Sequence, residues 1–381
     1  MLTNSKTGHK FTRAFDIALF KLRKEAVQSK FERAFDLALG DLFEKMGSGS
    51  MASRNRAQNK LLLHDVAIRI GGETQFQWLL ECEAPSVKDM KDYGFAAFSG
   101  IATDSLASNL TANLISAANQ MADSHVNDCI ASGLIKVRAS PLYPQYIQMA
   151  KDHHFPIRDL DLHLLYLANF NGMFALSYLF AGAIAVLGDQ PDTLQCLRNE
   201  LGDTYPTMEN VDRFALLDSF LYESQRFFLR PTIMFKKAQR DFLLPSSSGV
   251  HYRVKKDEIV MAHFPLACRD SSVFANAESF DAKRFLREPH LKEKVFKFGF
   301  VHGNEPIDQS KFGCALHVTG FAERITKLVV AHFVQRVDFA LSHKPIFTGD
   351  HAGDIGPNDI GFIYFRPRSQ VPSKHPPKSS K

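Results

Sequence analysis

The sequence predicts a mainly α-helical protein with small β-sheets, on three observations. Up to Phe228, long stretches carry apolar side chains at helical spacing. Beyond Pro231 the composition changes to short β-prone runs separated by Pro, Ser and Gly turns. The 381 residues, 45% hydrophobic and 23% charged, suffice for one large core or two ordinary domains. One domain is expected over residues 1–365, and a disordered basic Pro/Ser/Lys tail over 366–381.

Taken in order, the chain opens on a near-repeat. Phe11–Leu19 (FTRAFDIAL) recurs as Phe31–Leu39 (FERAFDLAL), which predicts two amphipathic helices or one bent one. Gly47–Ser50 (GSGS) is a flexible break. Asn59–Ile70, Gln75–Cys82 and Val87–Leu114 read as further helices with polar interruptions, and Ser140–Pro144 as a turn. Arg158–Leu187 is a long apolar helical region broken chemically by Asn169, Asn171 and Gly172, and Gln190-Pro191 ends it. Thr193–Leu201 and Val211–Phe228 are helices; Thr232–Phe264 holds short strands; Asp270–Phe285 is turn-rich and Phe298–Lys311 a loop. Val318–Phe339 reads as a helix and Ile360–Phe365 as a closing strand.

Composition excludes several classes of function. The net charge of +5 is modest and part of it sits in Lys374–Lys381, so no nucleic-acid partner is implied. Five cysteines (82, 129, 196, 268 and 314), without a C-x-x-C pair, argue against a zinc site and a secreted disulfide framework. No apolar run is long enough to span a bilayer, and Met1–Lys10 lacks the apolar core of a signal peptide. The expectation is an intracellular protein, cytoplasmic or at a membrane periphery. With 33 phenylalanines against nine tyrosines and one tryptophan, ordinary core packing is the plain reading. A pocket for a long aliphatic substrate, or a surface that touches lipid, is the sharper one.

The stretch with most chemistry is Lys311–His317 (KFGCALH), running into Phe321, Ile325, Leu328, Val329 and Phe333. A glycine-flanked turn exposes the Cys314 sulfur, and the backbone N–H groups of the coming helix favour its thiolate. Cys314 therefore reads as a metal ligand, specifically the axial thiolate of a haem iron. By itself such a cysteine is more often a small buried hydrophobe. Upstream, Glu223 and Arg226 share one helix face amid Leu221, Tyr222, Phe227 and Phe228, so a buried ion pair is the alternative to a solvated one. Arg284, offered from the turn Phe280–Phe285, could complete a Glu–Arg–Arg network.

In this order and spacing the sequence resembles the cytochromes P-450, the haem-thiolate proteins. Glu223 and Arg226 look like the pair on that family's K helix, Arg269-Asp270 through Arg284-Phe285 like the segment after it, and Cys314 like the haem cysteine. More closely it resembles the allene oxide synthases, hydroperoxide lyases and epoxyalcohol synthases. Ala238–Phe242, the enlarged loop Gly303–Gly313 and Phe170–Ala175 (FNGMFA) are similar to features of that clan. Ordinary monooxygenases carry an acid and a threonine in the central helix, whereas Ala181–Ala185 (AGAIA) has neither. Leu316 stands where the family has glycine, and Lys311 lies three rather than two positions before the cysteine.

The resemblance implies the P-450 fold lacking its amino-terminal part, since His9–Leu22 is similar to the family's C helix. It implies haem b, held by Cys314 with Lys311 nearby, and a structural network of Glu223, Arg226 and Arg284. It implies a fatty-acid hydroperoxide as substrate, steadied by Asn171, with neither dioxygen nor a reductase required. The alternatives are an NADPH- and dioxygen-dependent monooxygenase and an inactive truncated haem-binding homologue.

Overall fold

A computed structural model describes residues 6–23, 26–46, 60–93, 128–170, 176–228, 233–246, 248–299, 321–345 and 360–369. The near-repeat folds as two helices, α1 (Lys6–Arg23) and α2 (Val27–Met46). Equivalent positions do equivalent work in each. Phe15 and Leu19, like Phe35 and Leu39, are buried, while Asp16 meets His163 at 2.7 Å and Asp36 meets Arg336 at 2.5 Å. One amphipathic pattern thus serves two different packing partners.

Strand β1 (Leu61–Leu62) leads into α3 (Leu63–Leu80), the central helix of the core, which packs on α2. Two separate helices are expected over this region; one unbroken helix forms, because partners one turn away on the helix and the following segment satisfy its polar interruption. Glu73 is fully buried, paired with Arg69 at 3.0 Å and accepting from Gln77 at 2.8 Å and the Ala84 N–H at 3.1 Å. Thr74 donates back to Ile70 O at 2.7 Å, and Met90 fills the space a side chain at position 72 would take. The last carbonyls of α3, which no helix can satisfy itself, each receive a side-chain donor: Trp78 O from Arg23, Leu79 O from Tyr146, Leu80 O from Ser140.

Helical stretches at 87–93 and 128–139 follow, then α4 (Tyr143–Asp152). The long apolar region forms α5 (Ile157–Phe170) and α6 (Ser177–Asp189), both against α3, with Leu176 wound in a wider π turn. After α7 (Pro191–Leu201) the chain makes one 3₁₀ turn at Val211–Arg213, and Phe214 is extended before α8 (Ala215–Phe228) begins. That helix therefore starts four residues later than its periodicity suggests. The Glu200 carboxylate of α7 takes the Leu216 and Leu217 N–H groups at 2.6 and 2.9 Å and fixes the start there. The Phe228 ring occupies the space beside Gly182, so α6 and α8 meet where only glycine fits.

Strands β2 (Ile233–Lys237) and β5 (Ile259–His263) pair antiparallel and enclose the hairpin β3 (Phe242–Pro245)–β4 (His251–Val254). Short helices α9 (Phe264–Cys268), α10 (Arg284–Arg287) and α11 (Lys292–Gly299) bracket the turn-rich segment. Helix α12 (Phe321–Arg336) then hands over to β6 (Val337–Leu341), which pairs with β7 (Phe362–Pro367), and β7 with β1. A helix reaching Phe339 is thereby corrected, because pairing of Phe339 with Phe365 draws these residues into a sheet. The closing strand also runs two residues into the expected tail. Arg368 is anchored there, its N–H to Arg336 O at 2.9 Å and its guanidinium to Gln335 O at 3.2 Å. No described helix is long and apolar enough to cross a membrane.

Buried His332 ties α12 to α2. Its ring lies 5.2 Å from that of Phe31, 5.7 Å from Phe35 and 5.0 Å from Tyr205, and its Nε2–H donates to Pro206 O at 3.0 Å. Burial holds its pKa down at about 4, against the pull of the Pro206 carbonyl, with Arg336 adding to the depression and Glu32 and Asp36 opposing it. The unfolded chain takes up the proton below about pH 6.5 and the folded chain does not, so this part of the stability is complete above that pH and is lost towards pH 4. Between pH 6.5 and 5 the loss should reach roughly 2 kcal/mol. Urea unfolding at both values checks it, and His332→Gln should show a correspondingly flatter profile.

Candidate functional site

Helix α8 presents Ser219, Glu223 and Arg226 on one buried stripe. Glu223 and Arg226 are fully excluded from solvent and Arg284 nearly so. The Arg226 fork is bidentate, Nη2 to Glu223 Oε1 at 2.8 Å and Nε to Oε2 at 2.9 Å. From the facing turn, Arg284 Nε reaches the same carboxylate at 3.0 Å, and the Asp281 N–H donates to it at 3.0 Å.

The two guanidiniums spend their other hydrogens on backbone. Arg226 Nη1 donates to Cys268 O at 2.7 Å and Ala277 O at 2.6 Å, and Nη2 to Ser279 O at 3.2 Å, so all five of its donors are engaged. Arg284 donates to Ala275 O, to Asn276 O at 3.3 Å and to Ser279 O at 3.1 Å. One carboxylate cannot neutralise two cations, and the carbonyl dipoles of residues 268–279 supply the remainder. Asn276, at φ 50°, adopts the left-handed conformation as it turns its carbonyl towards Arg284; asparagine tolerates that better than most residues. Arg226 also lies over the rings of Phe227 and Phe274, at 4.6 and 5.2 Å, and Arg269 over Phe227 at 4.8 Å.

A second charged cluster, absent from the sequence expectations, joins α12 to α8. Lys327, only 3% exposed, reaches Asp212 at 2.9 Å, Asp218 at 2.6 Å and Glu323 at 3.0 Å. Its one signal in the sequence is a lysine inside an apolar helical run, with an acid four positions earlier.

The structure thus brings Glu223, Arg226 and Arg284 together, whereas Asn171, Lys311 and Cys314 lie outside the described residues. Close to Asn171, the last turn of α5 buries Asn169, whose Oδ1 has no hydrogen-bond partner among the described residues. Three of the other cysteines are held as thiols. Burial pushes the thiols of Cys82 and Cys129 up to about 11 and that of Cys268 to about 12, away from the thiolate a metal needs. Among the described residues no His/Cys/Asp/Glu cluster could hold a metal ion.

Breaking the Glu–Arg–Arg network should be costly, since each partner removed leaves a buried charge uncompensated. Glu223→Gln or Arg284→Met is expected to lose about 3–5 kcal/mol. Arg226→Lys should also destabilise, because a lysine cannot reproduce the planar fork. Urea midpoints of the three variants measure this.

Comparison with known proteins places the arrangement. The Cytochrome P450 family model matches residues 169–303, which include α8 and the segment its arginines hold. A mitochondrial hydroperoxide bicyclase of Plasmodiophora brassicae is 35% identical over 372 residues, 97% of this chain and 66% of that protein. An epoxyalcohol synthase of Ectocarpus siliculosus is 28% identical over 384 residues, covering 97% of this chain and 78% of that protein. A chloroplastic fatty acid hydroperoxide lyase of Solanum lycopersicum is 28% identical over 188 residues, 46% of this chain and 38% of that one. The chain therefore spans just under two thirds of the length of the Plasmodiophora relative. With these relatives, this family match and this helical architecture, the chain belongs to the cytochrome P450 family.

Proposed function

We propose that the chain is a haem-thiolate enzyme that rearranges or cleaves fatty-acid hydroperoxides without dioxygen or a reductase. The observation that carries the reading is the similarity, across 97% of the chain, to relatives named for hydroperoxide chemistry.

The chain's own residues fit a thiolate-held haem. Three of its cysteines are kept protonated by burial, which leaves Cys314, in its glycine-flanked turn ahead of α12, as the thiolate donor that the family chemistry requires. Cys196, half-buried on α7, has no such turn around it. Lys311 would offer its ammonium to a haem carboxylate. When bound through a thiolate, haem supplies electron density that favours breaking an O–O bond.

The remaining work is positioning. Asn171 would hold the hydroperoxide by its amide and so fix the reacting oxygen, an orientation effect rather than proton transfer. Two residues before it, Asn169 is a buried amide whose Oδ1 has no hydrogen-bond partner among the described residues, which is consistent with a polar group being accommodated at this end of α5. Ala181–Ala185 of α6 is fully buried and has no titratable or hydroxyl side chain with which to feed protons to dioxygen. A substrate that brings its own activated oxygen needs no such relay. Glu223, Arg226 and Arg284 would stay charged and static, holding residues 268–285 against α8.

Two outcomes test the reading. The haem-loaded chain should convert a fatty-acid hydroperoxide anaerobically and without reductant, and Asn171→Leu should lower kcat by about 10²-fold through lost orientation; a requirement for NADPH and dioxygen would refute it. Cys314→Ala should abolish the red-shifted Soret band of the ferrous CO complex, and a spectrum identical to that of the unaltered chain would remove the ligand assignment.

A further inference from the structure

The hairpin β3–β4 leaves an apolar face in the open. Its register sets Phe242 against Val254 and Leu244 against Tyr252, so these four side chains share one face, and Val250 continues it towards the turn. An antiparallel pair ordinarily packs such a face on the core. Here only the foot is buried, at Val254 and at Ala238, whose N–H and carbonyl bond the Glu258 carbonyl and the Asp257 N–H at 2.8 and 2.9 Å. Further out Leu244 is 41% exposed, Val250 50% and Tyr252 58%, and on the opposite face Leu243 is 61% exposed. Large apolar side chains grouped in solvent in this way mark an interaction surface.

Charge indicates what covers it. From Phe242 to Lys256 the chain carries no acidic residue, while Arg253, Lys255 and Lys256 are exposed at the hairpin's foot. The flanking acids lie beyond it, at Asp241, Asp257 and Glu258, and two of them are spent on the ribbon itself. Asp241 takes Arg253 at 3.4 Å and the Lys256 N–H at 2.8 Å, and Glu258 takes the Lys255 N–H at 2.8 Å. Apolar side chains backed by cations suit an anionic lipid surface, where hydrocarbon receives the former and the lysine stems reach the headgroups. Tyr252, a ring with a hydroxyl, belongs at such a boundary. A protein partner would cover one face of the ribbon and leave Leu243 in water, whereas lipid receives apolar side chains from both. The turn is already closed by its own bonds, Ser246 N–H to Val250 O at 2.8 Å and Gly249 N–H to Ser246 O at 3.1 Å, which lowers the cost of leaving bulk water. The outer edges of a two-stranded ribbon still need water or headgroups, so entry stops at the headgroup–acyl boundary.

We propose that the hairpin β3–β4 is a membrane-docking element, which lays its apolar face into the boundary of an anionic lipid bilayer with Lys255 and Lys256 on the headgroups. The inference rests on neither haem nor substrate, and its test requires neither.

Flotation of the purified chain with vesicles is the test, one set of phosphatidylcholine alone and one of equal parts phosphatidylcholine and phosphatidylserine. The chain should partition onto the anionic set and be released as salt rises. Leu243→Gln combined with Leu244→Gln should weaken that partitioning about tenfold or more. Lys255→Gln combined with Lys256→Gln should weaken it about tenfold on anionic vesicles and hardly at all on phosphatidylcholine. All four residues are exposed, so the far-UV CD melts should match that of the unaltered chain; should the leucine pair fail to fold, Tyr252→Ser removes apolar area from the same hairpin. An unaltered chain that floats with neither set, or folded hairpin variants that bind as well as it does, overturns the proposal. So does self-association in sedimentation equilibrium without lipid that the leucine pair abolishes, since the face then belongs to a second copy of the chain.

Discussion

The carboxylate of Glu223, gripped by two guanidiniums and shut away from water, is the constraint on which the rest of this half of the molecule depends. A charge so placed is tolerable only if every lone pair and every hydrogen around it is used. That requirement draws the carbonyls of Cys268, Ala275, Asn276, Ala277 and Ser279 towards Arg226 and Arg284. A turn-rich segment with little regular structure is thereby given one shape. The stripe also carries Ser219, which donates to Ala282 O at 2.7 Å and accepts the Phe285 N–H at 3.1 Å, so even its neutral member holds the same segment.

Helix α8 is consequently a strut with two polar faces. Ser219, Glu223 and Arg226 hold the segment leading to α10; Asp218 and Tyr222, one position earlier, face Lys327, Glu323 and Lys292 from α12 and α11. A third contact is apolar and equally specific, since the Phe228 ring fits against α6 only because residue 182 is glycine. The helix's beginning is set by Glu200 from α7. Five parts of the chain thus fix α8, and through it α12 is tied to α6.

Much of this organisation was legible in the sequence because it is local or spacing-encoded. The amphipathic repeat and the end of α7 at Leu201 follow from periodicity, and Gln190-Pro191 marks where the apolar region stops. The Glu223/Arg226 spacing indicates a shared face, while its apolar neighbours hint at burial. Less legible were the features that depend on another part of the chain. Gly71–Thr74 looks like an interruption until Ala84 and Met90 close over it, and the passage from α12 into β6 needs β7 as a partner.

What the sequence determined by itself was the class of fold, the family and the order of the chemical groups, because hydrophobic period, capping residues and motif spacing are properties of neighbours along the chain. Tertiary structure alone decided which charges are buried together. Nothing local distinguishes Lys327, with Glu323 four residues before it, from an exposed helical pair; it becomes a buried anchor only because Asp212 and Asp218 arrive from elements more than a hundred residues earlier. Burial of an ion is governed by what closes over it in space, and spacing in sequence carries no record of that.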